Sequence, residues 1–238
     1  LHGTTTREIR EAALEVKFLV PVGLAEQLIA WARHTLSPDP HGIGQWADEY
    51  QTSSLYFDTD QLDVYHRRGS FKRSKYRIRR YGTSDLVFLE RKLRTDRRMI
   101  KRRTTVPDDR LGPLARFEFE KEAPGYWFQE RLEARRLRPV CQVSYQRVAR
   151  VAPGVHGPVR LTVDREIQAQ PLTGLEFLPA RGTRVVDTHV PVEMKFRVEM
   201  PSIFKELAEK HALAPLRVSK YRLSMDALSR AGLSVINA

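Results

Sequence analysis

The sequence predicts an α+β domain built on a large antiparallel sheet, and three observations predict it. Eight segments alternate apolar and polar residues with period two, near 13–20, 52–58, 74–81, 86–93, 99–106, 141–150, 158–167 and 190–198. About four segments carry helical spacing instead, too few to alternate with the strands. The gaps at 82–85 and 94–98 are too short for the crossover helix that a parallel βαβ pairing requires. No long linker, fixed-period repeat or low-complexity tract interrupts the 238 residues, so one domain over 1–238 is expected.

Taken in order, the first strand ends at Pro21, and Leu24, Leu28, Trp31 and Ala32 then share one face of a helix. A loop near 37–48 leads to the second strand; the third, fourth and fifth are separated by the short gaps and followed by a loop near 107–116. Trp127, Phe128 and Leu132 form an apolar helical face after Pro124. Two long strands follow, then a loop near 168–189 and the last strand. Ile203, Phe204, Leu207 and Ala208 mark a helix after Pro201. A final helix opens at Ser219, a good N-cap, and stops before Gly232, with Tyr221, Met225 and Leu228 facing inward.

Side chains alternate across a strand, so the two faces separate by parity. Leu14, Val16 and Phe18 oppose Glu15 and Lys17; Val159, Leu161 and Val163 oppose Arg160, Thr162 and Asp164; Val192, Met194 and Phe196 oppose Glu193 and Lys195. The same rule puts Arg77 with Arg79, Glu90 with Lys92 and Lys101 with Arg103, and Arg147 joins them. One solvated sheet face would also alternate. Such faces are rich in Thr, Ser and Gln, whereas these positions repeat Arg, Lys and Glu. With Lys220, ten basic side chains stand against the four acidic Glu15, Glu90, Asp164 and Glu193, a surplus of six positive charges. Helices must cover the apolar face, so a sheet curled into a barrel turns the charged face inward. A dry cavity cannot hold that charge, because one uncompensated buried ion costs several kcal/mol. The expectation is a wet tunnel for a multiply charged phosphate ligand, with the few carboxylates available to hold a divalent cation.

The whole-chain balance agrees: 41 Lys and Arg against 29 Asp and Glu give a net charge of +12, which favours polyanionic partners. Cys141 is the only cysteine, which excludes an internal disulfide and a cysteine zinc cluster and suits a reducing compartment. No run approaches the ~18 apolar residues of a membrane span, and the N-terminal stretch lacks a signal core, so a soluble protein is expected. The chain does not begin with Met, so targeting information can lie upstream. The seven histidines show no metal-ligand spacing. Lys72, Arg73, Lys75 and Arg80 read as surface charge that guides substrate, and Tyr56 and Asp58 as fold-determining.

In order along residues ~10–230, "EVKF", "SLYFDT", "KYRIRRY", "FLERK", "IKRR", "SYQR", "VRLTVDR", "VEMK" and "SKYRLSM" resemble the VTC-type polyphosphate polymerase domain, within the CYTH-like triphosphate tunnel metalloenzymes. Each motif alone is weak; their order is specific. The resemblance implies an eight-stranded antiparallel β tunnel with helices outside, binding ATP and a growing inorganic polyphosphate chain. It also implies phosphate contacts at Lys17, Arg77, Arg79, Lys92, Lys101, Arg103, Arg147, Arg160, Lys195, Ser219 and Lys220. Among these, Arg77, Arg79, Lys92 and Lys195 are expected to serve catalysis together with Glu193. Glu193 is the main expected ligand of Mn²⁺ or Mg²⁺, with Glu15 and Glu90 as further candidates. Ala13 stands where the superfamily's Glu-x-Glu-x-Lys signature has its first Glu, a departure that weighs against a two-metal triphosphatase. Other readings are a non-catalytic polyphosphate-binding module and, on charge alone, general nucleic-acid binding; no nucleic-acid partner is expected. A cytoplasmic location is expected, including at a membrane's cytoplasmic face through a partner that bears the membrane segment.

Overall fold

The computed structural model describes residues 8–42, 44–94 and 99–233, with side chains from Ala13 onward. In chain order its elements are β1 (Glu8–Pro21), α1 (Val22–Thr35), β2 (Ser37–Pro38), β3 (Glu49–Asp58), α2 (Asp63–His66), β4 (Ser74–Tyr81), β5 (Leu86–Arg94) and β6 (Met99–Pro107). They continue with α3 (Leu111–Ala115), α4 (Tyr126–Ala134), β7 (Arg138–Ala152), β8 (Val159–Pro171), β9 (Thr183–Arg184), β10 (His189–Phe196), α5 (Ser202–Lys210) and α6 (Lys220–Arg230). Eight strands close a ring in the order β7-β3-β4-β5-β6-β1-β10-β8, with β8 pairing back onto β7. Every pairing is antiparallel. The two-residue strands β2 and β9 lie outside this ring. The antiparallel pairing is that expected from the eight alternating segments, and its closure into a tunnel with helices outside is what the family resemblance implies.

All four expected helices form. Ala25, Leu28, Ile29 and Ala32 are the buried stripe of α1, which starts directly after Pro21. Gly125, at φ +92, opens α4; a Cβ there would sit 2.6 Å from Leu89 Cδ1, so the chain turns on a residue that can take this conformation without a side chain. Three details differ from the expectation. The 107–116 stretch holds the short helix α3, because Leu111 and Leu114 bury together. β8 runs on to Pro171 and β7 spans 138–152, since their mutual pairing extends past the apolar runs. A further short helix, α2, follows β3; Asp58 organises it by accepting the backbone N–H groups of Thr59, Val64 and Tyr65.

Two apolar clusters cover the outside of the ring. One joins the outer faces of β3, β4, β5 and β7 to α3, α4 and α6 through residues such as Phe57, Ile78, Leu89, Phe128 and Met225. The other joins β1, β8 and β10 to α1 and α5 through Phe18, Leu28, Leu161, Met194 and Phe204. Each such large side chain contributes roughly 1.5–3 kcal/mol on burial. The apolar stripes of the helices therefore claim the outer strand faces, and the polar faces have only the interior left to them.

Candidate active site

The interior side chains come from strands on every side of the ring and converge on one cavity of about 560 Å³. β1 contributes Glu15 and Lys17, β4 contributes Lys75, Arg77 and Arg79, and β5 contributes Lys92. Arg147 enters from β7, Glu193 and Lys195 from β10, and Ser219 and Lys220 from the start of α6. Arg67, Lys72, Arg73, Arg94, Arg217 and Arg222 complete the lining. Fourteen Lys or Arg residues thus face two carboxylates. The last helix is aimed by a specific bond: Tyr221 donates to Asp58 Oδ2 at 2.5 Å, and its ring stacks on Tyr56 at 5.2 Å. Ser219 caps that helix by accepting the Arg222 N–H at 3.4 Å.

The charges form a layered network. Glu193 accepts from Lys17 Nζ at 3.0 Å and Lys220 Nζ at 3.2 Å, with Lys195 at 3.9 Å. Burial alone would raise its pKa, but Lys17, Lys220 and Lys195 outweigh burial and hold it well below the usual carboxylate range. Glu15 lies 3.4 Å from Lys92, 3.4 Å from Lys17 and 3.6 Å from Lys195, and these cations likewise overcome burial and depress its pKa. Behind this layer Asp164 takes two parallel bonds from Arg147, at 2.7 and 2.8 Å, and lies 2.5 Å from Lys220 Nζ. Arg79 is held by neutral oxygens, Ser54 Oγ at 3.1 Å and the Tyr145 hydroxyl at 2.9 Å.

Burial, with Arg147 and Arg160, lowers the pKa of Lys195 against the pull of Glu15 and Glu193, and two further lysines are shifted more strongly. Burial first, and then Arg77, Lys195 and Lys17, pull Lys92 down to about 7 against the opposing pull of Glu15. Lys75 is pushed well below its ordinary value by burial and by Arg222, Lys17 and Lys92; its Nζ bonds Ser219 Oγ at 2.6 Å. A polyanion in the cavity would answer both, since it supplies the negative charge these ammonium groups lack.

Ten of the expected site residues line the cavity: Glu15, Lys17, Arg77, Arg79, Lys92, Arg147, Glu193, Lys195, Ser219 and Lys220. Lys101, Arg103, Arg160 and Glu90 do not. Arg160 instead reaches Asp39 at 3.0 Å and the Tyr50 hydroxyl at 2.5 Å. Lys101 stands opposite Lys92 in the β5–β6 register but outside the lining. Glu90 is fully buried, with one oxygen bonded by Arg77 Nε at 2.6 Å and the other by Arg103 Nε at 2.6 Å. Both oxygens being taken, the expectation that Glu90 joins a metal site is corrected: it is an arginine anchor.

The reading of Lys75 as surface charge is corrected too. It shares the parity of Arg77 and Arg79, the signal that would have placed it inside. Lys72 and Arg73 also reach the cavity lining. Arg80, of opposite parity, packs outside over the Phe177 ring at 4.3 Å. Tyr56 has a share in the site as well as the fold, lining the cavity and accepting from Arg77 Nη1 at 3.2 Å.

A family model described as the VTC domain matches residues 12–229. The chain belongs to the VTC domain family. Among solved structures, a candidate adenylate cyclase from Bacillus halodurans superposes with a TM-score of 0.56 at 15% identity, covering 88% of this chain and 95% of that one. A candidate adenylyl cyclase from Hippeastrum, described as having a dominant triphosphatase activity, gives a TM-score of 0.51 at 15% identity over 93% of this chain and 97% of that one. These likenesses show the shared tunnel fold. No curated protein matches the chain significantly.

In this VTC domain, no group of three or more His, Cys, Asp or Glu side chains is placed to hold a metal among the described residues. Glu15 and Glu193 remain as the cavity's carboxylates, and they share Lys17 and Lys195 as neighbours. Glu15 Oε2 is buried without a hydrogen-bond partner. This donor set fits a small hard divalent cation, which is bound through one or two carboxylates plus substrate phosphates. Ala13 lies on the cavity wall, so the position of the missing signature Glu faces the site without a carboxylate. No helix among the described residues is long and apolar enough to cross a membrane.

Proposed function

We propose that this VTC domain is a polyphosphate polymerase that transfers the γ-phosphoryl group of ATP to the end of an inorganic polyphosphate chain. The observation that carries the reading is the cavity lining, in which fourteen cationic side chains face only two carboxylates. Such a lining suits a ligand with one negative charge per unit along its length. The cavity volume, about 560 Å³, falls in the range of a site for one nucleotide-sized ligand.

In the transfer, a terminal oxygen of the acceptor chain forms the new P–O bond, the bond from the γ-phosphorus to the β-phosphate bridge breaks, and ADP leaves with that electron pair. The acceptor oxygen is already ionised near neutral pH, so the protein's task is positioning and charge stabilisation rather than base catalysis. Arg77, Arg79 and Arg147 present guanidinium donors to phosphate oxygens, while Lys17, Lys92, Lys195 and Lys220 exchange their carboxylates for phosphate. Ser219 and Lys75 hold the ligand at the start of α6. Glu193, with Glu15, would hold Mn²⁺ or Mg²⁺, which supplies Lewis-acid neutralisation of the phosphate oxygens when bound.

Incubation with ATP and Mn²⁺ should give long chains on a polyacrylamide gel that an exopolyphosphatase destroys; release of free phosphate alone would refute polymerisation. Triphosphate hydrolysis is the second reading, favoured by the activity described for the Hippeastrum protein and disfavoured by Ala13 on the cavity wall. We place the domain in the cytoplasm, acting alone or beside a partner that bears a membrane segment. Because the charge is enclosed, duplex nucleic acid is not its ligand: tripolyphosphate should displace a bound polyphosphate probe better than duplex DNA at equal phosphate.

A further inference from the structure

Next to Arg79 and Arg147, aromatic rings and guanidinium groups pack against one another. Tyr81 follows Arg79 on the same face of β4, while Phe88 on β5 pairs with Arg79, Tyr50 on β3 pairs with Arg147 and Arg103 on β6 pairs with Glu90; none of the four lines the cavity. Tyr50 and Tyr81 meet edge to face with centroids 5.5 Å apart, and Tyr81 and Phe88 meet at 5.3 Å. Arg103 lies over Phe88 at 4.4 Å and donates from Nη2 to the Tyr81 hydroxyl at 3.1 Å. Arg160 donates to the Tyr50 hydroxyl at 2.5 Å. The plug is thus two phenols held by guanidinium groups, the donors best suited to phosphate.

We infer that Tyr81, backed by Tyr50 and Arg103, is a gate across the inner end of the tunnel, which the growing polyphosphate chain displaces and which therefore sets product length. The inference rests on the polymerase reading. A cavity of about 560 Å³ cannot store a long chain, so the older end must pass one of its two ends. Arg67, Lys72, Arg73, Arg94, Arg217 and Arg222 draw incoming ATP to the mouth, leaving the inner end for the product. An oxyanion arriving there competes with the single phenol oxygens for Arg103 and Arg160, because each phosphate offers a guanidinium fork several charged oxygens at once. Arg103 keeps Glu90 through Nε meanwhile, so the wall stays fixed while the phenol ring turns away. The arginines that sequence assigned to phosphate, yet the cavity leaves out, become the stations of the exit.

The test compares product lengths at equal ATP consumption for the parent, Tyr81→Ala and Tyr81→Trp. The gate predicts a modal chain length at least about twofold greater for Tyr81→Ala and shorter for Tyr81→Trp. An unchanged distribution in either folded variant overturns it. Should the parent make no polymer, the polymerase reading fails, and phenolate absorbance judges the gate separately. The groups facing the Tyr81 phenol are Arg79, Arg103, Glu90, Arg147 and Tyr50; Arg79 and Arg103 outweigh burial and bring it to about 6. Long-chain polyphosphate, which reaches Arg103, should lower the phenolate signal at neutral pH. Tripolyphosphate, confined to the cavity, should not, and Tyr81→Phe should lack the signal. Equal responses to both ligands, or none to either, overturn the gate.

Discussion

Replacing Glu193 with Gln should destabilise the free protein, tighten its grip on phosphate and abolish its turnover. Glu193 is 6% exposed and faces Lys17, Lys220 and Lys195. Removing one partner of a buried ion pair costs about 3–5 kcal/mol. Here the lower end applies, because Lys17 and Lys195 keep Glu15 and Lys220 keeps Asp164. About 3 kcal/mol in a chain of this size is roughly 6–12 °C in Tm. The same substitution removes a negative charge from the wall that phosphate approaches. At about 5 Å and an effective dielectric constant near 20, that repulsion is worth about 3 kcal/mol before salt screening, so metal-free tripolyphosphate should bind roughly tenfold tighter or more. Differential scanning fluorimetry without ligand, and calorimetric titration with tripolyphosphate, read the two effects. Mn²⁺-dependent turnover should fall at least about a hundredfold, since the main carboxylate for the metal is gone. A variant with unchanged Tm, or one that binds tripolyphosphate more weakly than the parent, would refute the charge arithmetic of the cavity.

Lys92, brought to about 7 by burial and its cationic neighbours, loses its proton as pH rises through neutrality in the free protein. Bound polyanion favours the charged form and raises that pKa, so binding should take up protons and weaken as pH climbs above about 7. Titrations in buffers of different ionisation enthalpy measure the uptake, and Lys92→Arg should reduce it; equal uptake in that variant would contradict the assignment. Lys75→Ala should lose affinity for tripolyphosphate while Arg80→Ala, on the outer face, binds like the parent; a reversed order would deny the parity of β4. Ala13→Glu should strengthen Mn²⁺ binding and shift the products of ATP from long chains toward free phosphate, and an unaltered product pattern would mean that Ala13 does not separate the two chemistries. Asp164→Ala should lower stability by about 3–5 kcal/mol, because Arg147 and Lys220 lose their shared carboxylate; denaturant unfolding checks it, and a loss below ~1 kcal/mol would contradict the buried network.

Much of the tunnel was legible because strand alternation is a strict code. Once Phe18, Leu161 and Met194 are assigned to the outer face, Lys17, Arg160 and Lys195 have no other direction to point. The gaps at 82–85 and 94–98 enforced antiparallel neighbours, although residues 95–98 lie outside the described ones. Parity says which face a residue takes, but not how far along the barrel it sits. Arg103, Arg160 and Glu90 carry the expected parity yet do not line the cavity, because Glu90 is held between Arg77 and Arg103 and Arg160 is drawn to Tyr50 and Asp39, partners that parity does not reveal. Lys75 was missed for a different reason. It stands at the start of β4 beside the exposed run Lys72–Arg73, which masked the parity it shares with Arg77 and Arg79, and its bond to Ser219 at the start of α6 is a contact that no local pattern encodes. The Asp58 knot that aims Lys220 depends on contacts 163 residues apart, which no local pattern encodes.

The most direct trial of the account is a crystal structure with tripolyphosphate and Mn²⁺, in which phosphorus positions are read against the barrel wall. Phosphates should lie inside the ring, within hydrogen-bonding distance of Lys17, Arg77, Arg79 and Lys195, with the metal on Glu193. Phosphates bound only to outer-surface cations such as Arg33 and Arg165, with the interior ion pairs unbroken, would contradict it.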